Sequence, residues 1–476
     1  MRLSKAAANP CLAALIEGAG FPSLERFALS VNDRGWRMHH VKLSYDHVSV
    51  KRWLLGRTCQ YPDVVAAVLS EAWGVPIPVP VIWPELREGA CQVPAHLQAW
   101  VAARTLEDLG VFLRSDMLTR REMLAGSIRV ATGAALADPI VRWLNTNTAG
   151  PLAHAAEATA RIGISTVEGI EQATRQFAAS DAEVGGGLSR EAAVGQLKYA
   201  VDLARHASYG EAVGKRLLAA IANLSGLVGW MSFDADMDGP AQRYFLYGLQ
   251  AAHEVGDERT ALRASGILAD MAHQMRALGH PDTGLRLIEL ALDRVPSDRR
   301  RFNAVRAMLW SLKANMLSPM GLGYLAEIRA AVSLSFDLYD KARDDEPDPA
   351  VAEYWPYTSD SELAYVAAGT FRDLDVAVGS LANDSERYAQ YALAHRGDGF
   401  VRSKVFDQIA LARVRFLMAE PDEACRNGEA AIDLAAAVAA SKRVTTRLRE
   451  MLADSQPYVD RPNVREFRER LELAVS

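Results

Sequence analysis

From about residue 163 to the C-terminus, apolar side chains recur every three or four positions, and that period admits helices and little else. Leu217, Leu218, Ile221, Leu224, Val228 and Met231 make one apolar face, and Phe245, Leu246, Leu249 and Ala252 make the next. β-Branched residues never alternate with polar ones for long enough to build a strand. The helices also come in pairs. Met275–Ala291 and Leu417–Ala431 each end one helix, turn through Pro-Asp and open a second. Proline marks such a start because its missing N–H and fixed φ cost nothing in a helix's first turn.

Similar hairpins occur at Trp230–Leu249, Trp310–Leu334 and Leu363–Tyr391. Their spacing, roughly forty to fifty residues, is longer and less regular than the roughly 34-residue tetratricopeptide period. A helix pair cannot bury its apolar face alone, so residues 163–476 are expected to stack as a tetratricopeptide-like α-solenoid with a concave surface. A compact irregular bundle is the alternative. The fold class expected for the whole chain is all-α.

Upstream the chain is punctuated. Pro76, Pro78, Pro80 and Pro84 break helical continuity and bound a first domain, residues 1–75. Residues 76–162 are expected to be a Pro-rich linker and connector helices. There Leu97, Trp100, Val101, Leu106, Leu109 and Phe112 regain helical spacing, and a second loop follows near Asn145–Pro151. Thr119–Gly126, with Arg120-Arg121, imitates a twin-arginine export signal, but such signals are read at N-termini and a connector helix is expected. Pro10 and Glu17 interrupt the first apolar run, which makes a poor signal peptide. No run of apolar residues reaches the length of a membrane span. Cys11, Cys59, Cys91 and Cys425 lie far apart without a C-x-x-C pair and are expected to be reduced thiols. The expected location is cytoplasmic.

Charge is unevenly spread. The net charge is -6, yet Arg26, Arg34, Arg37, Lys42, Lys51, Arg52 and Arg57 face only Asp33 and Asp46 in that stretch, with His39, His40 and His47 beside them. A local basic face is what phosphate attraction needs, whatever the total charge. The same stretch holds short helices. Leu24, Phe27, Ala28 and Val31 make one, with Ser23 as N-cap; His47–Leu55 makes the second, capped by Asp46 and stopped by Gly56; Val64–Trp73 makes the third. In the second helix Val50, Trp53 and Leu54 point inward, which leaves His47, Val48, Lys51 and Arg52 outside.

This arrangement resembles the DNA-binding module of Xre and λ-repressor-type proteins, with Val50-Lys51-Arg52-Trp53-Leu54-Leu55-Gly56 in the place of the recognition helix. The stretch Arg34–Ser44 departs from it by lengthening the usual turn. The resemblance implies that His47, Val48 and Arg52 read base edges of double-stranded DNA, while Lys51, Arg57, Arg37 and Lys42 hold phosphates. Further matches are Arg142-Trp143-Leu144, Gly185-Gly186-Gly187-Leu188, Gly229-Trp230-Met231-Ser232, Ala241–Phe245, Glu346–Pro349 and Arg372-Asp373-Leu374. With these the whole chain resembles the streptomycete NsdA-type regulators of differentiation and antibiotic production. That resemblance implies a helix-turn-helix plus tetratricopeptide architecture, related to bacterial regulators whose repeats sense peptides.

Two motifs carry less than their spelling. Asp234, Asp236, Asp238 and Gly239 copy the start of a calcium loop, but Phe245 stands where a bidentate Glu is needed, so an inter-helix turn is expected. Gly185–Gly187 lacks the Lys-Ser/Thr of a phosphate loop and reads as a helix connection. No H-E-x-x-H or nucleophile motif is present, and no enzyme, metal or cofactor is expected. The concave face of the repeats is the remaining candidate site, with His273, Gln274, Trp310, Lys313, Asn315, Glu362, Tyr365 and Arg372 as its lining. Trp230 also falls there, though aromatics at helical spacing more often belong to a core. The expected protein is a homodimeric DNA-binding transcriptional regulator that takes a peptide, small molecule or protein signal in its repeats. A tetratricopeptide adaptor with a vestigial helix-turn-helix is the alternative.

Overall fold

A hydrogen-bonded knot at Asn9 sets the first unit. Asn9 caps helix α1 (Pro10–Gly18) by accepting from the Leu12 N–H at 2.9 Å, and its side-chain amide donates to the Ile82 carbonyl at 2.7 Å. The computed structural model describes residues 9–39, 43–57, 59, 61–73, 77, 79–83, 102–118, 130–144, 160–184, 189–343, 345, 348–355, 357–375, 381–436, 438 and 441–475. They fall into two compact units, residues 1–99 with 131–145 and residues 100–130 with 146–476. The chain is all-α but for one parallel pair of two-residue strands among the described residues, β1 (Ala160–Arg161) on β2 (Ala207–Ser208).

The first unit continues with α2 (Leu24–His39), α3 (His47–Leu54), α4 (Pro62–Trp73) and the single turn α5 (Val79–Ile82). Their shared core is Leu12, Leu15, Ile16, Phe27, Val31, Val50, Trp53, Val64 and Leu69, with Ile77, Ile82 and Trp83. Two expectations change here. The first helix runs on through Arg34 to His39, so much of the expected long turn is helix. The Pro-rich stretch also does not simply end the unit: Trp83 is fully buried against Trp53 and donates its indole N–H to the Arg57 carbonyl at 3.2 Å. The apolar character of Ile77, Ile82 and Trp83 outweighs the helix-breaking prolines around them, because a turn needs no long hydrogen-bonded ladder.

Helix α6 (Ala102–Leu118) belongs to the second unit and α7 (Ala134–Leu144) to the first. The second unit then runs α8 (Ile164–Val184), α9 (Arg190–His206), α10 (Glu211–Asp234), α11 (Asp238–Val255), α12 (Glu258–Ala277), α13 (Pro281–Arg294), α14 (Asn303–Leu317) and α15 (Leu325–Arg343). It ends with α16 (Pro349–Tyr354), α17 (Asp360–Asp375), α18 (Ala382–His395), α19 (Val401–Leu417), α20 (Pro421–Ala435), α21 (Lys442–Asp454) and α22 (Pro462–Ala474). Local chemistry starts and stops these helices. Proline opens α13, α16, α20 and α22, Asp257 caps α12 by accepting from the Thr260 N–H, and Gly256 closes α11 in the left-handed region.

Consecutive helices pack as pairs: α10 on α11, α12 on α13, α14 on α15, α17 on α18 and α19 on α20. The first members also touch in series, α8 to α10, α12, α14, α17 and α19. The series then closes, since α19 packs back on α8. The concave surface expected from stacked pairs is therefore the inner wall of a closed ring of helices. By length and composition α10 could cross a membrane, but its apolar window is 72% buried inside this unit.

One cysteine expectation is corrected. Cys11, on the buried face of α1, is disulfide-bonded, a pairing that depends on folding and not on spacing in the chain. Cys59 and Cys425 are free, and burial pushes their thiols up to about 12 and about 11, away from thiolate reactivity. Lys42, Cys91, Arg120, Arg121 and Gly185–Gly187 lie outside the described residues, as do Pro76, Pro78 and Pro84.

Candidate functional site

Two places concentrate chemistry, one in each unit. In the first unit α3 is held on three sides. Asn32 of α2 donates to the Tyr45 carbonyl and accepts from the Tyr45 N–H, both at 2.8 Å, which fixes the backbone just before the helix. Asp46 then caps α3 by accepting from the Ser49 N–H at 2.8 Å, and that bond draws its carboxyl below the usual range. At the other end Gly56 takes φ 87°, and the Arg57 N–H reaches back to the Arg52 carbonyl at 3.1 Å. Val50, Trp53 and Leu54 face the core, with Tyr45 edge-on to Trp53 at 4.9 Å.

The outward face of α3 carries His47, Val48, Lys51 and Arg52, all exposed, and Arg57 is exposed just beyond it. Val48 in the first turn of α3 and Leu55 at its C-terminal cap are large apolar side chains left in water. Arg37 lies in α2, where only its backbone is described. Arg34, also counted in the basic stretch, is tied to Glu71 of α4 at 2.9 Å.

In the second unit the ring of first helices surrounds a cavity of about 260 Å³. Its wall is mostly apolar and aromatic, including Trp230, Trp355, Tyr365 and Phe406, with Tyr357 and Phe400 exposed at the edge. Charged groups on the wall are mostly paired. Arg396 holds Asp407 through Nε and Nη2 at 2.8 and 2.9 Å and Glu362 at 2.7 Å. Arg402 of α19 bridges Asp181 of α8 at 3.2 Å and Asp234 of α10 at 3.3 Å, with all three side chains buried. Asp234 also accepts from Ser441 Oγ at 3.3 Å and pairs with Arg443 at 3.5 Å. The carboxylate that opens the calcium-like sequence thus holds arginines, and Phe245 is buried in α11.

Arg443 is stacked among rings, 4.8 Å from the centre of Trp230 and 5.3 Å from that of Phe406. His273 faces the same space, and burial together with Arg443, Arg276 and Arg447 pushes its imidazole down to about 3, so it is neutral.

Two charges on this wall lack a strong partner. Arg263 is 7% exposed, makes one long bond to the Asn223 carbonyl at 3.5 Å, and leaves Nε without an acceptor. Its guanidinium occupies the space over Gly226, where a Cβ would collide with Nη2. Asp270, two turns along α12, makes no hydrogen bond or ion pair among the described residues, and burial pushes its carboxyl up to about 7.

Of the eight side chains expected to line a binding surface, the structure brings His273, Glu362 and Tyr365 together at the cavity. The other five are engaged elsewhere. Gln274 is fully buried and donates to the Asp238 carbonyl at 2.8 Å. Trp310 packs against the core around Leu317 and Phe371, with Lys313 over its ring at 5.3 Å. Lys313 pairs with Glu289 and Glu327, Asn315 donates to Thr370 Oγ1 at 3.1 Å, and Arg372 pairs with Asp373 at 2.7 Å. Sequence reasoning passed over Arg263, Asp270, Arg402 and Arg443. The available signal was on α12, where Arg263, Gly266 and Asp270 interrupt an apolar helix at three- and four-residue steps.

Fold and sites together define an all-helical protein with a small N-terminal unit that exposes a basic helix and a larger unit of paired helices around a charged, aromatic cavity. Residues 12–82 match the SP15 N-terminal domain family, a span from within α1 to the end of α5. No curated protein and no solved structure matches the chain.

Proposed function

We propose that this protein is a DNA-binding transcriptional regulator, of development or secondary metabolism, whose tetratricopeptide-like second unit takes a small signal ligand. One observation carries the DNA half. Helix α3 is capped at both ends, anchored by Val50, Trp53 and Leu54, and turns His47, Val48, Lys51 and Arg52 outward together. In a helix-turn-helix formed by α2 and α3, those residues enter the major groove. His47, Val48 and Arg52 meet base edges, and Lys51 and Arg57 meet phosphates. A homodimer would set two such helices on half-sites about 34 Å apart. The ligand half is supported by the cavity, whose volume of about 260 Å³ favours a small molecule over an extended peptide. Coupling between the two requires that the ligand bind the DNA-competent and incompetent forms with different affinity.

Fluorescence anisotropy of the full chain on promoter fragments, titrated with salt, tests this reading. Binding should weaken steeply as salt rises, because each neutralised phosphate releases counterions. Arg52→Ala should cost about 1–3 kcal/mol and relax preference at one base position, whereas Lys51→Ala should weaken all sequences alike and lower the salt slope by about one. Absence of binding at low salt would leave the adaptor reading in its place.

A further inference from the structure

The cavity holds a cation and an anion on one helix, Arg263 and Asp270, which attract each other but form no ion pair and no strong hydrogen bond among the described residues. Arg263 and Asp270 are seven residues apart on α12, a rise of about 10 Å. Arg263 leans along the helix, so that Nη1 lies 3.4 Å from where a Gly266 Cβ would stand, which brings its guanidinium closer to Asp270. The other buried charges of the wall are already matched, Arg402 with Asp181 and Asp234, Arg396 with Glu362 and Asp407. A buried guanidinium without a close acceptor is costly, and a ligand that supplies an anion to Arg263 and a cation to the half-buried Asp270 lowers that cost.

We propose that this cavity binds a small zwitterion of the amino-acid class with an apolar side chain. Its carboxylate sits on Arg263, its ammonium on Asp270, and its side chain among Trp230, Trp355 and Phe406. A carboxylate and an ammonium flanking one carbon, with a hydrogen bond of about 2.8 Å at each end, span about 8–9 Å, which fits within the rise of about 10 Å between the two positions. The size agrees as well, since about 260 Å³ is smaller than the roughly 300–1,000 Å³ typical of drug-sized ligands. Arginine matches a carboxylate with parallel donors, and the aromatic wall supplies apolar surface, with Arg443 already held by Asp234 beside the Trp230 and Phe406 rings. Gly226 has a role in this: its missing side chain is the space in which the Arg263 guanidinium lies.

The assignment deepens the ligand half of the proposed function and rests on that half, while its test makes no use of DNA. Titration calorimetry of the full chain compares L-phenylalanine with L-phenylalaninamide, which lacks the carboxylate, and with 3-phenylpropionate, which lacks the ammonium. L-Phenylalanine should bind saturably, and each analogue about tenfold or more weakly, as expected for a lost charge-assisted hydrogen bond. Arg263→Gln should erase the difference between amino acid and amide, and Asp270→Asn the difference between amino acid and 3-phenylpropionate. Gly226→Ala displaces the guanidinium while keeping every charge, and should weaken L-phenylalanine and leave the amide unchanged. This third variant serves if either charge replacement fails to fold. Failure of L-phenylalanine, L-leucine and L-tryptophan all to bind at millimolar concentration overturns the proposal. So does equal or tighter binding of either analogue to the unsubstituted protein. A protein that binds DNA but none of the probes keeps the regulator reading and loses this one; a protein that binds L-phenylalanine but not DNA does the reverse.

Discussion

Replacing Arg402 by methionine should destabilise the second unit by about 3 kcal/mol, the lower end of the cost of breaking a buried ion pair from one side. Arg402 on α19 is the shared partner of Asp181 on α8 and Asp234 on α10, and these contacts join the last helix pair to the first. Without it two buried carboxylates face each other, Asp234 keeping Ser441 and Arg443 and Asp181 losing its bound arginine. The remaining partners of Asp234 set the estimate at the lower end of the range. Burial already raises the Asp181 carboxyl against the pull of Arg402, with Asp234 adding to the rise. Removing the arginine raises it further. A carboxyl raised in the folded state contributes stability at low pH that is lost as pH climbs through its folded value. The deficit of Arg402→Met should therefore be larger at pH 8 than at pH 5, and adding Asp181→Leu should recover part of it. Urea unfolding of the full chain at both pH values measures this. A variant as stable as the parent, or a deficit indifferent to pH, would show that the ion pair does not hold the ring closed.

Trp83→Ala should cost the first unit about 3–5 kcal/mol, the usual range for deleting a buried tryptophan. Trp83 is fully buried, sits edge-on to Trp53 at a centroid distance of 6.4 Å, and donates to the Arg57 carbonyl. It thus supports the core anchor of α3 and the backbone just beyond its C-terminus. Loss of that support should weaken DNA binding along with stability, although Trp83 is itself shielded from solvent. Unfolding followed by limited proteolysis of the full chain should show the first unit opening at lower urea with the second unchanged. If the first unit keeps its midpoint, Trp83 is dispensable and the unit's core ends before the prolines.

These two residues show where reading the chain stops. The Pro-rich stretch around Trp83 reads as a break because proline's local effect is strong, whereas the burial of one indole against Trp53 is a long-range event with no signature in spacing. Helix α2 shows the same limit from the other side. Its first two turns carry the apolar pattern, but the continuation through Arg34 to His39 has no apolar stripe, and Arg34 itself is paired with Glu71. At the cavity, His273, Glu362 and Tyr365 were legible as polar residues on first helices of pairs. Gln274 lies one step from His273, and that step turns it a quarter of the way round the helix, to the start of α11.

What the amino-acid order determines by itself here is local: the helices, their Pro-Asp starts at Pro281 and Pro421, the Asp46 and Asp257 caps, and the inward set Val50, Trp53 and Leu54 on α3. All of these rest on interactions within about four residues, which the helical period makes readable. The tertiary structure alone decided that α19 returns to α8, that Arg402 meets Asp181 across 221 positions of chain, and that Arg263 and Asp270 are left facing a cavity without strong partners. The physical reason is that periodicity states which face of a helix is buried. It does not state which distant helix, or which charge, will stand opposite that face.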